Sequence, residues 1–201
     1  MTTYEKPDFW ALKAQREGYP ARSVYKLQEM DEKFKLFRPG PPGFRGLDLG
    51  AAPGSWSLYA LRRMEGRLFL AAADLAPLPE HRLFRGDHFF FIRGDMTTEN
   101  VREALLARGP YDLVMSDAAP ATTGNRAVDT LRSLALAETA LFYAETALVK
   151  GGNLVVKVFQ GGDSAGLLDR MRELFVTGKS FKPRSCRSSS FETYYIGLEK
   201  R

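Results

Sequence analysis

The amino-acid sequence predicts an α/β fold, a mostly parallel seven-stranded sheet with helices on both faces. Three observations lead to it. Apolar runs of strand length alternate along the chain with segments of helical spacing. The stretch Leu47-Asp48-Leu49-Gly50-Ala51-Ala52-Pro53-Gly54-Ser55-Trp56 reads as a strand, a glycine-rich turn and the start of a helix. Several strands then end in aspartate, as expected of an open sheet that holds a ligand beyond its carboxyl edge.

Taken in order, residues 1–40 are charged and helical in pattern: Val24, Leu27 and Met30 recur at three-residue intervals, with Arg22, Lys26, Lys33 and Lys35 around them. They read as an N-terminal helical extension of a single domain spanning 1–201. Pro39-Gly40-Pro41-Pro42-Gly43 breaks any helix and leads into the first strand. Further strands are expected over 67–73, 88–93, 111–116 and 154–159, with helices over 55–65, 97–108 and 128–149 and right-handed crossovers between parallel neighbours. Beyond Gly161-Gly162 the pattern predicts a helix over 165–175 and two last strands near 180–183 and 191–198.

Composition narrows the class. With 201 residues, 44% hydrophobic and 26% charged, the chain is expected to bury a sizeable core. Twenty-nine Lys+Arg against 24 Asp+Glu give a formal charge of +5, compatible with a polyanionic partner. The lone Cys186 excludes an internal disulfide and a cysteine-built zinc site, and with only His81 and His88 no metal is expected. No stretch resembles a signal peptide or approaches the ~20 apolar residues of a membrane span, so a cytoplasmic protein with no membrane partner is expected.

The strand-end residues form a coherent set: the loop after the first strand, Asp74 after the second, Gly94-Asp95 after the third, Asp117 after the fourth, and Lys157 near the end of the fifth. Asp74 follows Gly54 by 20 positions, the spacing of a carboxylate that accepts from ribose hydroxyls. The Gly-x-x-x-Gly loop lacks both the Gly-x-Gly-x-x-Gly of a pyrophosphate site and the Gly-Lys-Ser/Thr of a P-loop. An adenosyl cofactor without phosphates, S-adenosyl-L-methionine, fits this better than a dinucleotide. Lys157 within Leu-Val-Val-Lys-Val-Phe stands out further, because lysine is almost never buried unpaired.

Five segments carry a resemblance: Asp48 to Ser57, Ser116-Asp117-Ala118-Ala119-Pro120, Val156 to Gly161, Lys182-Pro183-Arg184-Ser185 and Glu192-Thr193-Tyr194-Tyr195, joined by Arg22 to Leu27. Together they resemble the FtsJ-like (RrmJ) ribose 2′-O-methyltransferases over roughly residues 19–198. The resemblance implies a Rossmann-like methyltransferase fold and a catalytic tetrad falling on Lys26, Asp117, Lys157 and Glu192. Lys157 would accept the hydroxyl proton, Asp117 would orient it, and Lys26 and Glu192 would position the ribose. Cofactor contacts are expected from Gly50, Ala51, Pro53, Gly54, Trp56, Asp74, Leu75, Asp95, Met96 and Asp117. Ala118 and Ala121 depart from the methionine and asparagine usual in the family, and residues 76–90, with Pro77, Pro79, His81 and His88, depart as well.

For RNA, the acid-free basic run Lys179, Lys182, Arg184 and Arg187 precedes Glu192, and Arg22, Lys33, Lys35 and Arg38 offer an opposing side. Tyr25, Phe191 or Tyr194 could stack on a splayed base. The resemblance favours a uridine of large-subunit ribosomal RNA within a ribosomal particle and a monomeric enzyme, with transfer RNA and a messenger cap as other substrates. Two other classes stay open: a nicotinamide-dependent oxidoreductase, and a non-catalytic RNA-binding protein.

Overall fold

Seven strands form one sheet in the order β3-β2-β1-β4-β5-β7-β6: β1 (Phe44–Leu49), β2 (Leu68–Asp74), β3 (Phe89–Arg93), β4 (Tyr111–Ser116), β5 (Leu148–Phe159), β6 (Phe175–Phe181) and β7 (Glu192–Lys200). This computed structural model describes residues 8–38, 43–161 and 164–201. The expected breaker at Pro39 to Pro42 and the second glycine of Gly161-Gly162 lie outside the described residues. Strands β1 to β5 pair in parallel, and β7 runs antiparallel between β5 and β6. The strand order reverses between β1 and β4, which opens a crevice beyond their carboxyl ends.

One face of the sheet is covered by α4 (Glu99–Leu106), α5 (Arg126–Ala147) and α6 (Ser164–Leu174), which pack with Leu47, Leu49, Val114 and Val156. The other carries α1 (Phe9–Arg16), α2 (Val24–Phe34) and α3 (Ser55–Met64). Val24, Leu27 and Met30, the residues that announced a helix, are fully buried there against Trp56, Met115, Tyr194 and Ile196. The N-terminal segment is therefore a layer of the core rather than an appendage. This docking places Lys26 against the sheet.

Four boundaries differ most from expectation. The helix expected to reach 149 ends at Ala147, because Leu148 is already extended and pairs with Tyr111. Strand β5 starts there, six residues early, its Lys150-Gly151-Gly152 portion spanning a register shift. Strand β6 starts at Phe175 rather than near 180: Phe175 pairs with Lys200 and its buried ring fills the space above Gly197, where a Cβ would come within 2.5 Å. Local composition shows neither pairing. Helix α5 also begins two residues early, its first N–H groups at Ala127 and Val128 donating to the Asn125 side chain at 3.1 and 3.4 Å.

Asp31 ties α2 to its neighbours. Only 3% exposed, it accepts from the Phe37 N–H at 3.1 Å, the Tyr59 hydroxyl at 2.9 Å and Arg63 Nε at 3.0 Å. Asp31→Ala would leave a buried N–H and a buried hydroxyl without partners, at a cost of about 2–4 kcal/mol. The expected outcome in urea unfolding is a lower midpoint with an unchanged slope.

Candidate active site

The glycine-rich loop leaves β1 at the crevice. Gly50 takes a positive φ of 76°, and a Cβ there would come within 2.6 Å of the Ala118 Cβ, so only glycine lets the loops after β1 and β4 touch. The Gly50 and Ala51 N–H groups both donate to the Ala73 carbonyl, at 2.9 and 3.1 Å. Asp74 fastens the loop from the other side, accepting from the Ala52 N–H at 2.9 Å and from Ala76 N–H at 2.7 Å. Gly54 faces the Phe84 ring, which would lie 2.9 Å from a Cβ. That contact is what the divergent 76–90 segment supplies: Phe84 stacks on Phe89 at 4.9 Å, and His81 accepts from the Leu83 N–H at 3.1 Å.

Between these loops lies a cleft of about 310 Å³. Of the residues expected to hold a cofactor, Gly50, Asp74, Leu75, Asp95, Met96 and Asp117 line it. Leu75 is 69% exposed at its mouth, a large apolar side chain with a free face. Asp95 spends one oxygen on the Thr97 N–H and hydroxyl, both at 2.8 Å, and these bonds hold its carboxyl below the usual range.

Ala51, Pro53, Gly54 and Trp56 do not line the cleft. For Trp56 the departure is largest: its buried indole donates to the Ser23 carbonyl at 2.9 Å and packs on Tyr194. Sequence reading missed Leu136, which reaches the cleft from α5, nearly three turns along a helix whose pattern says nothing of the loops it faces. The departure at Ala118 falls on the cleft wall, whereas Ala121 is exposed and outside it.

On β1, just before the glycine loop, Asp48 is fully buried; Ser57 Oγ donates to one oxygen at 2.6 Å and, among the described residues, the other has no partner. Burial pushes its carboxyl up to about 7, offset in part by Ser57 and reinforced by Asp117 and Asp74.

Four ionisable groups meet beside the cleft. Lys26 Nζ lies 2.7 Å from Glu192 Oε1, and Lys157 Nζ lies 3.2 Å from Asp117 Oδ1 while donating to the Asp117 carbonyl at 2.5 Å. The Tyr194 hydroxyl donates to Asp117 Oδ1 at 2.7 Å. Register explains the convergence: Lys157 is paired with Tyr194 across β5 and β7, and Phe159 with Glu192, while Lys26 arrives from α2 on the same face. Burial pushes the Asp117 carboxyl upward, but the Lys157 and Lys26 charges and the Tyr194 hydrogen bond outweigh it and hold Asp117 below the ordinary value. For Lys26, burial works against the charge, and Asp117 and Glu192 overcome it, raising the ammonium. Sequence reading left the second contribution of Tyr194 unseen.

Two carboxylates and two lysines thus meet beside the edge where the strand order reverses. The FtsJ-like methyltransferase family matches residues 19–200. The chain belongs to that family. It is 51% identical to the ribosomal RNA large subunit methyltransferase E of Treponema denticola, over 98% of this chain and 96% of that protein. The protein of the same name from Nitratidesulfovibrio vulgaris (strain Miyazaki F) is 46% identical, covering 100% and 97%. In fold, the chain is similar to a ribosomal RNA methyltransferase structure from Plasmodium falciparum, with a TM-score of 0.76, 24% identity and coverage of 90% and 98%.

The chain is thus a methyltransferase, and its methyl donor is S-adenosyl-L-methionine. The cleft fits that cofactor: its lining carries Asp74, Asp95 and Asp117 and no lysine or arginine, which suits a ligand with a sulfonium and an ammonium group and repels phosphates. The nicotinamide alternative is set aside on the same ground. Among the described residues no group of His, Cys, Asp and Glu is arranged to hold a metal ion, and no helix is long and apolar enough to cross a membrane.

Asp48 gives a measurable consequence. An acid raised on folding contributes stability below its unfolded value near 4, and loses it as pH rises through about 7. Asp48→Asn lacks this dependence, so its melting temperature is expected to gain on the wild type across that window, as differential scanning calorimetry at successive pH values would show.

Proposed function

We propose that this methyltransferase acts on RNA, transferring its methyl group to a ribose 2′-hydroxyl, of a uridine in large-subunit ribosomal RNA. The observation that carries the reading is the pairing of Lys157 with Asp117 next to Lys26 with Glu192, at the edge of the cofactor cleft. The names of the relatives from Treponema denticola and Nitratidesulfovibrio vulgaris support ribosomal RNA as the substrate class. Cytoplasmic location, a substrate presented within a large-subunit particle, and action as a monomer of one domain over 1–201 belong to the same proposal.

Bound S-adenosylmethionine supplies an electrophilic methyl group. The chain's own part is to hold the ribose and take its proton. A ribose hydroxyl is a poor nucleophile, so its proton must leave as the new bond to carbon forms. Lys157 Nζ accepts that proton, and Asp117 fixes its direction through the contacts at 3.2 and 2.5 Å. Lys26 and Glu192 offer a donor and an acceptor to the ribose while balancing charge in a site where each side chain is 12% exposed. Tyr194 holds Asp117 in place.

For the RNA strand, a pocket beside Glu192 brings together Arg22, Lys26, Arg187, Ser189 and Ser190, a set suited to phosphate. Arg22 is anchored by an ion pair with Asp8 and by donating to the Ser185 carbonyl at 2.5 Å. The other expected RNA contacts are dispersed. Lys182 and Arg184 lie on the loop between β6 and β7, where Lys182 donates to the Ser190 carbonyl at 2.6 Å and Glu29 of α2 accepts from the Arg184 and Ser185 N–H groups. Lys33 sits over the Phe181 ring at 4.4 Å, and Lys35, Arg38 and Lys179 are exposed outside this pocket. Tyr25 and Tyr194 are buried and hydrogen-bonded, to Glu17 and Asp117, so neither is a stacking platform; Phe191 alone of the three is partly exposed.

Lys157→Ala is expected to abolish methyl transfer to RNA while the cofactor still binds, as equilibrium dialysis against labelled S-adenosylmethionine would record; an unimpaired variant would overturn the assignment. Arg22→Ala and Arg187→Ala are each expected to weaken RNA binding and to flatten the log–log salt dependence by roughly one. Mapping the 2′-O-methyl group lost from a deletion strain identifies the target nucleotide.

A further inference from the structure

A second cavity, of about 610 Å³, opens past the carboxyl end of β5, apart from both the cofactor cleft and the arginine pocket. Its apolar floor is the amino-terminal half of α5, with Ala127, Leu131 and Leu134; Gln160 and Gly161 form its wall and Arg126 its rim. This floor is unusually bare. Leu131 is 69% exposed and Val128, on the same turns, 37%. An aromatic pair stands beside it: the Arg126 guanidinium lies 5.2 Å from the Phe191 ring, whose centroid is 4.6 Å from that of Phe159. The Gln160 N–H donates to the Phe191 carbonyl at 2.9 Å, so the turn that follows Lys157 and the residue that precedes Glu192 are joined along one edge.

We propose that this groove receives a nucleobase of the RNA strand, at or next to the reacting ribose. The inference rests on RNA being the substrate and adds where a base is held. Position supports it first: Gln160 is three residues beyond Lys157, roughly 10 Å along a strand, the scale separating a ribose from its own or an adjoining base. Chemistry supports it second. Among the described residues the one charged side chain of the lining is a cation, which suits a polyanion, and a guanidinium beside an aromatic ring offers a flat surface on which any base can stack. Thr130 and Gln160 add a hydroxyl and an amide within reach of a base edge. A base lodged there must be unstacked from its neighbours, which is the way proteins read single-stranded or looped RNA.

The test compares Leu131→Ser and Arg126→Ala with the wild type in steady-state methylation of the particle and of protein-free ribosomal RNA, alongside photocrosslinking of 4-thiouridine-substituted RNA. Both residues lie at the surface, so unaltered circular dichroism is the expected control. The expected result is a KM for RNA raised roughly ten-fold in each variant, with kcat at saturating RNA and cofactor affinity near wild type, and a wild-type crosslink within 126–134 or at 160–161. An unchanged KM in both variants, while Arg22→Ala still weakens RNA binding, overturns the groove and leaves the RNA reading standing. A defect confined to the particle, with the crosslink absent, makes a ribosomal protein the occupant and overturns the nucleobase. Failure of the wild type to methylate any RNA overturns both readings together.

Discussion

Asp117 keeps its negative charge in a mostly buried position, and much of the surrounding structure serves that one constraint. Burial alone would neutralise a carboxylate; two lysines and a tyrosine hydroxyl prevent it here. Each partner comes from a different element: Lys157 from β5, Tyr194 from β7 and Lys26 from α2. The antiparallel insertion of β7 beside β5 and the docking of α2 are therefore as necessary to the site as the loop that ends β4. Removing either lysine would leave its carboxylate partner undercompensated in a place that water enters poorly.

The crevice at the strand-order reversal is divided by charge. On the β1–β3 side the lining is acidic and apolar and suits the methyl donor; across Asp117 the side chains turn basic, with Lys157, Lys26, Arg22 and Arg187. A cationic cofactor and a polyanionic substrate would thus approach from opposite sides and meet at one aspartate. The close approach of Gly50 to Ala118 keeps the two sides adjacent, since any side chain at Gly50 would drive the loops apart.

Much of this was legible in advance. Apolar runs and helical spacing located the strands and most helices, and the strand-end aspartates marked the cleft, because an open sheet exposes those positions whatever its details. The misread parts have a common cause. Strand β5 begins at Leu148 and β6 at Phe175 because each pairs with a distant strand, Tyr111 and Lys200, and no local propensity encodes a partner. Trp56 was expected among the cofactor contacts, yet its indole turns to the Ser23 carbonyl, an acceptor brought by the start of a different helix.

The sequence by itself determined the α/β class, the glycine loop without phosphate-binding spacing, and a lysine in a strand too apolar to leave it unpaired; these follow from residue type and short-range order. The tertiary structure decided which charges meet. It folded residues 8–38 onto the sheet so that Lys26 reaches Glu192, divided the basic residues between a pocket at Arg22 and Arg187 and an outer surface, and buried two of three candidate stacking rings. Ion pairs and stacking act over a few ångströms, and only the packed chain brings residues 166 positions apart within that range.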